Sequence, residues 1–160
     1  MSLTVLELDK EQFFPQLFAN DLLTISRVTA TSFRFAAFLW HNTNGEQVQD
    51  RSAWSSRQWQ HHLANPGREF YAIYCDGEPA GCCEISRAAR LMQSSGGTAR
   101  IEALGLLPEF QGEGLGADIL TRIVEKALAT GARRLLIGSS INVTPAVLKL
   151  FQNQGFKAPA

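Results

Sequence analysis

Along residues 3–8 the side chains alternate Leu, Val and Leu with Thr and Glu, the period of two that predicts a strand. Residues 22–28 form a second strand candidate. The apolar positions of 31–40 and 55–63 recur at helical spacing. The second of these segments opens on a Ser-Ser cap, Ser55 and Ser56, with Trp59 and Leu63 one turn apart behind it. The polar stretch 42–52 between them predicts a loop. Residues 69–75 and 79–86 read as strands joined by Asp76-Gly77, a hairpin signal because the favoured two-residue turns need positive φ. Segment 87–98 ends in Ser94, Ser95, Gly96 and Gly97 and reads as loop. Residues 99–107 form a further strand, closed by Pro108.

After that strand comes QGEGLG at 111–116, then a helix whose Leu115, Ile119, Leu120, Ile123, Val124, Ala127 and Leu128 make one apolar stripe. Asp118 falls near its positive end and Gly131 at the expected left-handed cap. Residues 133–139 predict a strand, and 145–152 a last helix with Pro145 in its first turn. Hairpins followed by strand, helix, strand and helix give a mixed α/β order.

Composition narrows the function classes. The 160 residues suit one domain, 1–160. Lys+Arg and Asp+Glu balance at 15 each, so no net field draws nucleic acid or an anionic membrane. No apolar run nears the roughly 20 residues of a membrane span, and no basic segment followed by an apolar stretch opens the chain. These features fit a cytoplasmic protein. Of the three cysteines, Cys75, Cys82 and Cys83, the adjacent pair should point to opposite strand faces and pack as small apolar residues. His61 and His62 share no helix face, which speaks against a metal site.

The strand, glycine loop and helix at 99–128 build an anion site. Gly112, Gly114 and Gly116 let the backbone approach a ligand, and the first-turn N–H groups of a helix have no internal partners. Three readings compete. The loop could merely reverse the chain. It could be a dinucleotide site, since Gly112, Gly114 and Ala117 fit G-x-G-x-x-A. That motif needs an acidic residue about 20 positions on, where this chain has Gly138, Ser139 and Ser140, and a tighter turn than 108–111 provides. The third reading is a site for the diphosphate of an acyl carrier.

This third reading rests on a resemblance. Gln111, Gly114 and Gly116 match Q/R-x-x-G-x-G/A; Leu106, Leu107 and Pro108 precede them; Leu150, Phe151, Gly155 and Phe156 follow some forty residues on. In that order the chain resembles the GNAT family of N-acetyltransferases, well over about 60 residues and in outline over about 90. The resemblance implies a GNAT-like acyl-CoA acyltransferase fold: a central, mostly antiparallel sheet with splayed strands, flanked by helices. Residues 1–65 would supply N-terminal strands and acceptor-side helices, and 66–156 the central hairpin and CoA-binding half. The implied activity is transfer of an acetyl group from acetyl-CoA, without a metal, to a small-molecule amine. A non-catalytic acyl-CoA-binding module is the alternative.

The resemblance also implies roles. Pantetheine contacts fall on 104–107, thus Leu104, Leu106 and Leu107. The diphosphate falls on the backbone of Gln111, Gly112, Glu113, Gly114, Leu115, Gly116 and Ala117. The commonest base position holds Arg100, which cannot serve; Glu102, two residues along the same strand face, is the catalytic candidate, directly or through water. A salt-bridged or solvated strand carboxylate is its other reading. Phe151 stands where relatives carry an acidic Tyr, so it packs against the ligand without donating a proton. Thr144 aligns with a common Asn, and Asn142 lies close by. On the acceptor side the region 40–60 offers His41, Asp50, Arg51, Trp54 and Trp59, with core packing as the competing use of both tryptophans. Relatives continue past Gly-Phe with further strand. The expectation here is that residues 3–8, or the equivalent segment of a partner in a homodimer, cover the edge of strand 133–139.

Overall fold

The computed structural model describes residues 6–16, 22–43, 51–87, 97–112, 114–129, 131–138, 141 and 144–158. Six strands form one sheet in the order β1-β6-β5-β4-β3-β2. They are β1 (Glu7–Asp9), β2 (Leu23–Val28), β3 (Arg68–Cys75), β4 (Glu78–Arg87), β5 (Thr98–Leu106) and β6 (Arg134–Ile137). The four helices are α1 (Phe33–Thr43), α2 (Ser56–Ala64), α3 (Gly116–Leu128) and α4 (Pro145–Asn153). All neighbouring strands are antiparallel except β5 and β6, which are parallel because α3 carries the chain back between them.

Local chemistry accounts for most of these boundaries. The Asp76-Gly77 turn takes φ of 54° and 78°, the two positive values that match hairpin twist. Ser55 caps α2 by accepting from the Gln58 N–H while the Gln58 side chain accepts from the Ser55 N–H, a reciprocal box. Thr144 caps α4 by accepting from the Val147 N–H. Helix α1 runs to Thr43, two residues into the segment expected to be loop.

The sheet separates two cores. On one face α3 and α4 cover Leu8, Ile73, Cys83, Ile85, Ile101, Leu135 and Ile137 with the stripe Ile119, Leu120, Ile123, Val124, Ala127. On the other, α1 and α2 pack Leu39, Trp40, Trp59 and Leu63 against Phe70, Ala72, Cys82 and Ala103. Cys82 and Cys83 thus face opposite cores, as period-two alternation requires.

The edge of β6 is covered by this chain's own β1. Glu7 pairs with Leu136, Leu8 with Leu135 and Asp9 with Arg134. Glu7 also exchanges two backbone hydrogen bonds of 2.9 Å with Lys157. Leu6 and Leu8 are buried, and the Arg134 guanidinium donates to the Glu7 carboxylate. Gly155 makes the crossing possible: its φ is 108°, and a Cβ there would lie 2.2 Å from the Gln12 carbonyl oxygen.

Candidate active site

Strands β5 and β6 part company after four rungs. Thr98, Ala99, Arg100 and Ile101 pair with Arg134 through Ile137, and Gly138 N–H donates to Ile101 C=O at 2.8 Å. Beyond that bond β5 continues to Leu106 with no partner strand on this side among the described residues. Leu107 N–H donates to Ala80 C=O on the β4 side at 2.7 Å. By alternation, Leu104 and Leu106 turn their backbone groups toward the gap.

A bulge sets which side chains meet there. Ile85 pairs with Ile101 but Glu84 pairs with Ala103, leaving Glu102 as the extra residue. Arg100 and Glu102 lie on the α1/α2 face. After the bulge the alternation is displaced by one, so Ala103 joins that core while Leu104 and Leu106 turn to the α3/α4 face. Unbroken period-two alternation would have kept the leucines on the face of Glu102.

The leucines line an apolar cavity of about 330 Å³ between the end of β5, the start of α3 and α4. Gln111, Gly116, Thr144 and Phe151 also line it. Gly112 and Gly114 have φ of 77° and 75° and open surroundings, the left-handed conformation that makes glycine necessary in this loop. Unlike α2 and α4, helix α3 begins at Leu115 with no side-chain cap. Its first-turn amides therefore receive no help from the N-cap side chain, and the positive end of the helix dipole points at the loop. Apolar slot and amide-rich turn lie end to end, a fit for a carrier with an extended arm and a diphosphate.

The expected positions differ in how they meet this cavity. Leu107 is buried outside the cavity lining, because its N–H is held by β4 and its side chain turns into the protein. Leu115 and Ala117 bury their side chains, leaving only their backbone at the turn. Phe151 is fully buried and meets Phe156 edge-on at 5.1 Å. Gln111 Nε2 donates to Leu106 C=O at 3.0 Å and so spans the mouth of the loop. Glu113 and Asn142 lie outside the described residues, as does Asp50.

Glu102 sits one residue past the last β5–β6 rung, at the vertex of the split. It accepts from Ser86 Oγ at 3.1 Å and lies 3.6 Å from both Arg68 and Arg100. The vertex is tight: a Cβ on Gly138 would be 3.1 Å from Ile101 C=O and 3.5 Å from the Glu102 Cα.

Beside it on the same face is a charged cluster that sequence reasoning missed. The fully buried Glu84 carboxylate accepts from Arg51 at 2.9 and 3.3 Å and pairs with His62 Nε2 at 2.5 Å. Arg68 stands 3.4 Å away. Burial alone would raise the Glu84 pKa, but the His62 hydrogen bond and the Arg51 charge outweigh it and hold the carboxyl below its ordinary value. Arg51 is itself buried, its guanidinium stacked over Trp40, Trp54 and Trp59. Of the expected acceptor-side residues, Arg51 and Trp59 therefore belong to the interior, Trp54 is half-buried in the same aromatic cage, and His41 is exposed. The available signal was Glu84 itself, a lone carboxylate in the otherwise uncharged run 79–83 and Ile85.

Residues 33–156 match the acetyltransferase (GNAT) family. A tRNA(Met) cytidine acetyltransferase from Haemophilus ducreyi is 24% identical over 130 residues, a match covering 78% of this chain and 19% of that protein. The chain thus spans about a fifth of that curated relative. Among solved structures, an aminoglycoside acetyltransferase from an uncultured soil metagenomic sample superposes with a TM-score of 0.69 at 12% identity, over 86% of this chain and 93% of that one. A dodecameric spermidine N-acetyltransferase from Vibrio cholerae gives 0.67 at 15% identity, over 88% and 82%. At such identities the likeness is one of fold.

Proposed function

Because the chain belongs to the GNAT acetyltransferase family, we propose that it transfers an acetyl group from acetyl-CoA to the amine of a small molecule. The observation that carries this reading is the β5–β6 split, beyond which Leu104, Gly105 and Leu106 line an apolar slot that reaches the uncapped start of α3. In this reading the backbone of 111–117 holds the diphosphate, Leu104 and Leu106 flank the pantetheine arm, and the thioester reaches the vertex.

The acceptor, as free amine, attacks the thioester carbonyl carbon; the C–N bond forms and the C–S bond breaks. Glu102, directly or through one water, takes the proton that the ammonium must lose. The thiolate leaves and is protonated by solvent, because Phe151 carries no proton to give. Aminoglycoside and spermidine acetylation by structural neighbours supports an amine acceptor as a class.

Titration calorimetry with CoA and acetyl-CoA tests the donor side, and thiol release across a panel of amines tests the transfer. Binding of acetyl-CoA with amine-dependent thiol release is expected. No uptake of either carrier by folded protein would refute the reading, and binding without turnover would instead identify an acyl-CoA-binding module.

A further inference from the structure

Charge is unbalanced at the vertex. Among the described residues three guanidiniums, Arg51, Arg68 and Arg100, share the α1/α2 face with two carboxylates, Glu84 and Glu102. Arg51 and Glu84 are both buried and bound to each other through two hydrogen bonds. With His62 also on Glu84, Arg68 is left as an outer partner at 3.4 Å. What faces outward is then Glu102, 21% exposed, between Arg68 at 33% and Arg100 at 52%. Both arginines reach Glu102 only at 3.6 Å, longer than the bonds a committed guanidinium–carboxylate pair makes.

Arg100 is placed to meet a ligand. Its Cδ packs within 3.6 Å of the point where a Gly138 Cβ would lie, so its stem stands on the closing rung of the split. Its planar head presents several N–H donors in a fork that matches a carboxylate. A polyamine or other multiply cationic acceptor would bring further positive charge against the two guanidiniums, whereas an anionic group would complete their bonding.

We propose that the acceptor is an amine bearing a neighbouring carboxylate, as in an α-amino acid, and that Arg100, assisted by Arg68, receives that carboxylate while Glu102 faces the amine. This specificity rests on the acyl-transfer reading above and names its substrate class. It sets this chain apart from neighbours that act on aminoglycosides and spermidine.

The test compares the standard amino acids, their carboxamides and spermidine as acceptors, with acetyl-CoA binding measured separately on the same protein. The best amino acid should exceed its own carboxamide by about 10-fold or more in kcat/KM, and Arg100→Gln should cut that ratio to about threefold or less. The loss should fall on KM for the acid more than on KM for the carboxamide, with acetyl-CoA binding by calorimetry unchanged. Arg100→Lys should keep part of the preference, since it keeps the charge but loses the fork. Carboxamides or spermidine used as well as the acids would overturn the carboxylate assignment, as would acetyl-CoA-binding protein that turns over no amino acid; either leaves the donor reading standing. Failure to bind acetyl-CoA would overturn both.

Discussion

The Arg51 guanidinium lies 3.5 Å from the centre of the Trp40 ring and holds the buried Glu84 carboxylate through two hydrogen bonds. The pair ties the chain just before α2 to the middle of β4, beside the bulge that shapes the vertex. Neither ion has water to fall back on, so each depends on the other.

Replacing Glu84 with Gln should therefore cost about 3–5 kcal/mol, because it leaves Arg51 as an uncompensated buried charge. The pH dependence follows from the lowered Glu84 pKa. A carboxyl whose folded pKa lies below its unfolded one contributes stability that is present above the unfolded value, about 4.3. That contribution is lost as pH falls through the folded value. Thermal melts from pH 7 downward should show the gap between the parent and Glu84→Gln narrowing below about pH 4.

Glu102→Gln separates the two readings of that carboxylate. As a general base its loss should lower kcat about 10²–10⁴-fold and leave KM for acetyl-CoA unchanged. Steady-state rates within a few-fold of the parent would make Glu102 an ion-pair partner of Arg68 and Arg100 instead.

Two glycine substitutions should divide stability from binding. Gly155→Ala places a Cβ 2.2 Å from the Gln12 carbonyl at a φ of 108°, so it should destabilise the fold by more than the about 1–2 kcal/mol that left-handed backbone alone costs an L-residue, read as a lower melting temperature. Gly114→Ala meets no atom within 4 Å and carries only the conformational cost of its φ of 75°. Its main effect should be weaker acetyl-CoA binding by calorimetry.

Leu8→Ala removes a fully buried side chain where β1 covers β6 and should destabilise the fold by about 2–5 kcal/mol. Deleting residues 1–9 should lower stability or promote self-association through the bared β6 edge. Unchanged melting and unchanged sedimentation would show that β1 is dispensable.

Burial pushes the Cys83 thiol well above its ordinary pKa, and Cys82 is equally enclosed. Cys75 is half-buried. A thiol reagent should label one cysteine quickly in folded protein, lose that reaction in Cys75→Ser, and reach all three in denaturant.

The order of strands and helices, the hairpin, the helix caps and the glycine turn were legible in the sequence because each is fixed by neighbours a few residues apart. Asp76-Gly77, the serine cap of α2 and the α3 stripe need no distant partner to take their shape. The glycines and helix start of the loop before α3 are likewise contiguous, from 111 to 117.

Relations across strands were decided by tertiary structure. The bulge at Glu102 arises only where β5 pairs with β4, and it moves Leu104 and Leu106 to the face opposite Glu102. Glu84 stands out in its uncharged run, but that Arg51, 33 residues away, is its partner is decided only when α1, α2 and the tryptophans close over the pair. A buried carboxylate is stable only with its partners in place, and which residues become partners is set by how the sheet and helices pack.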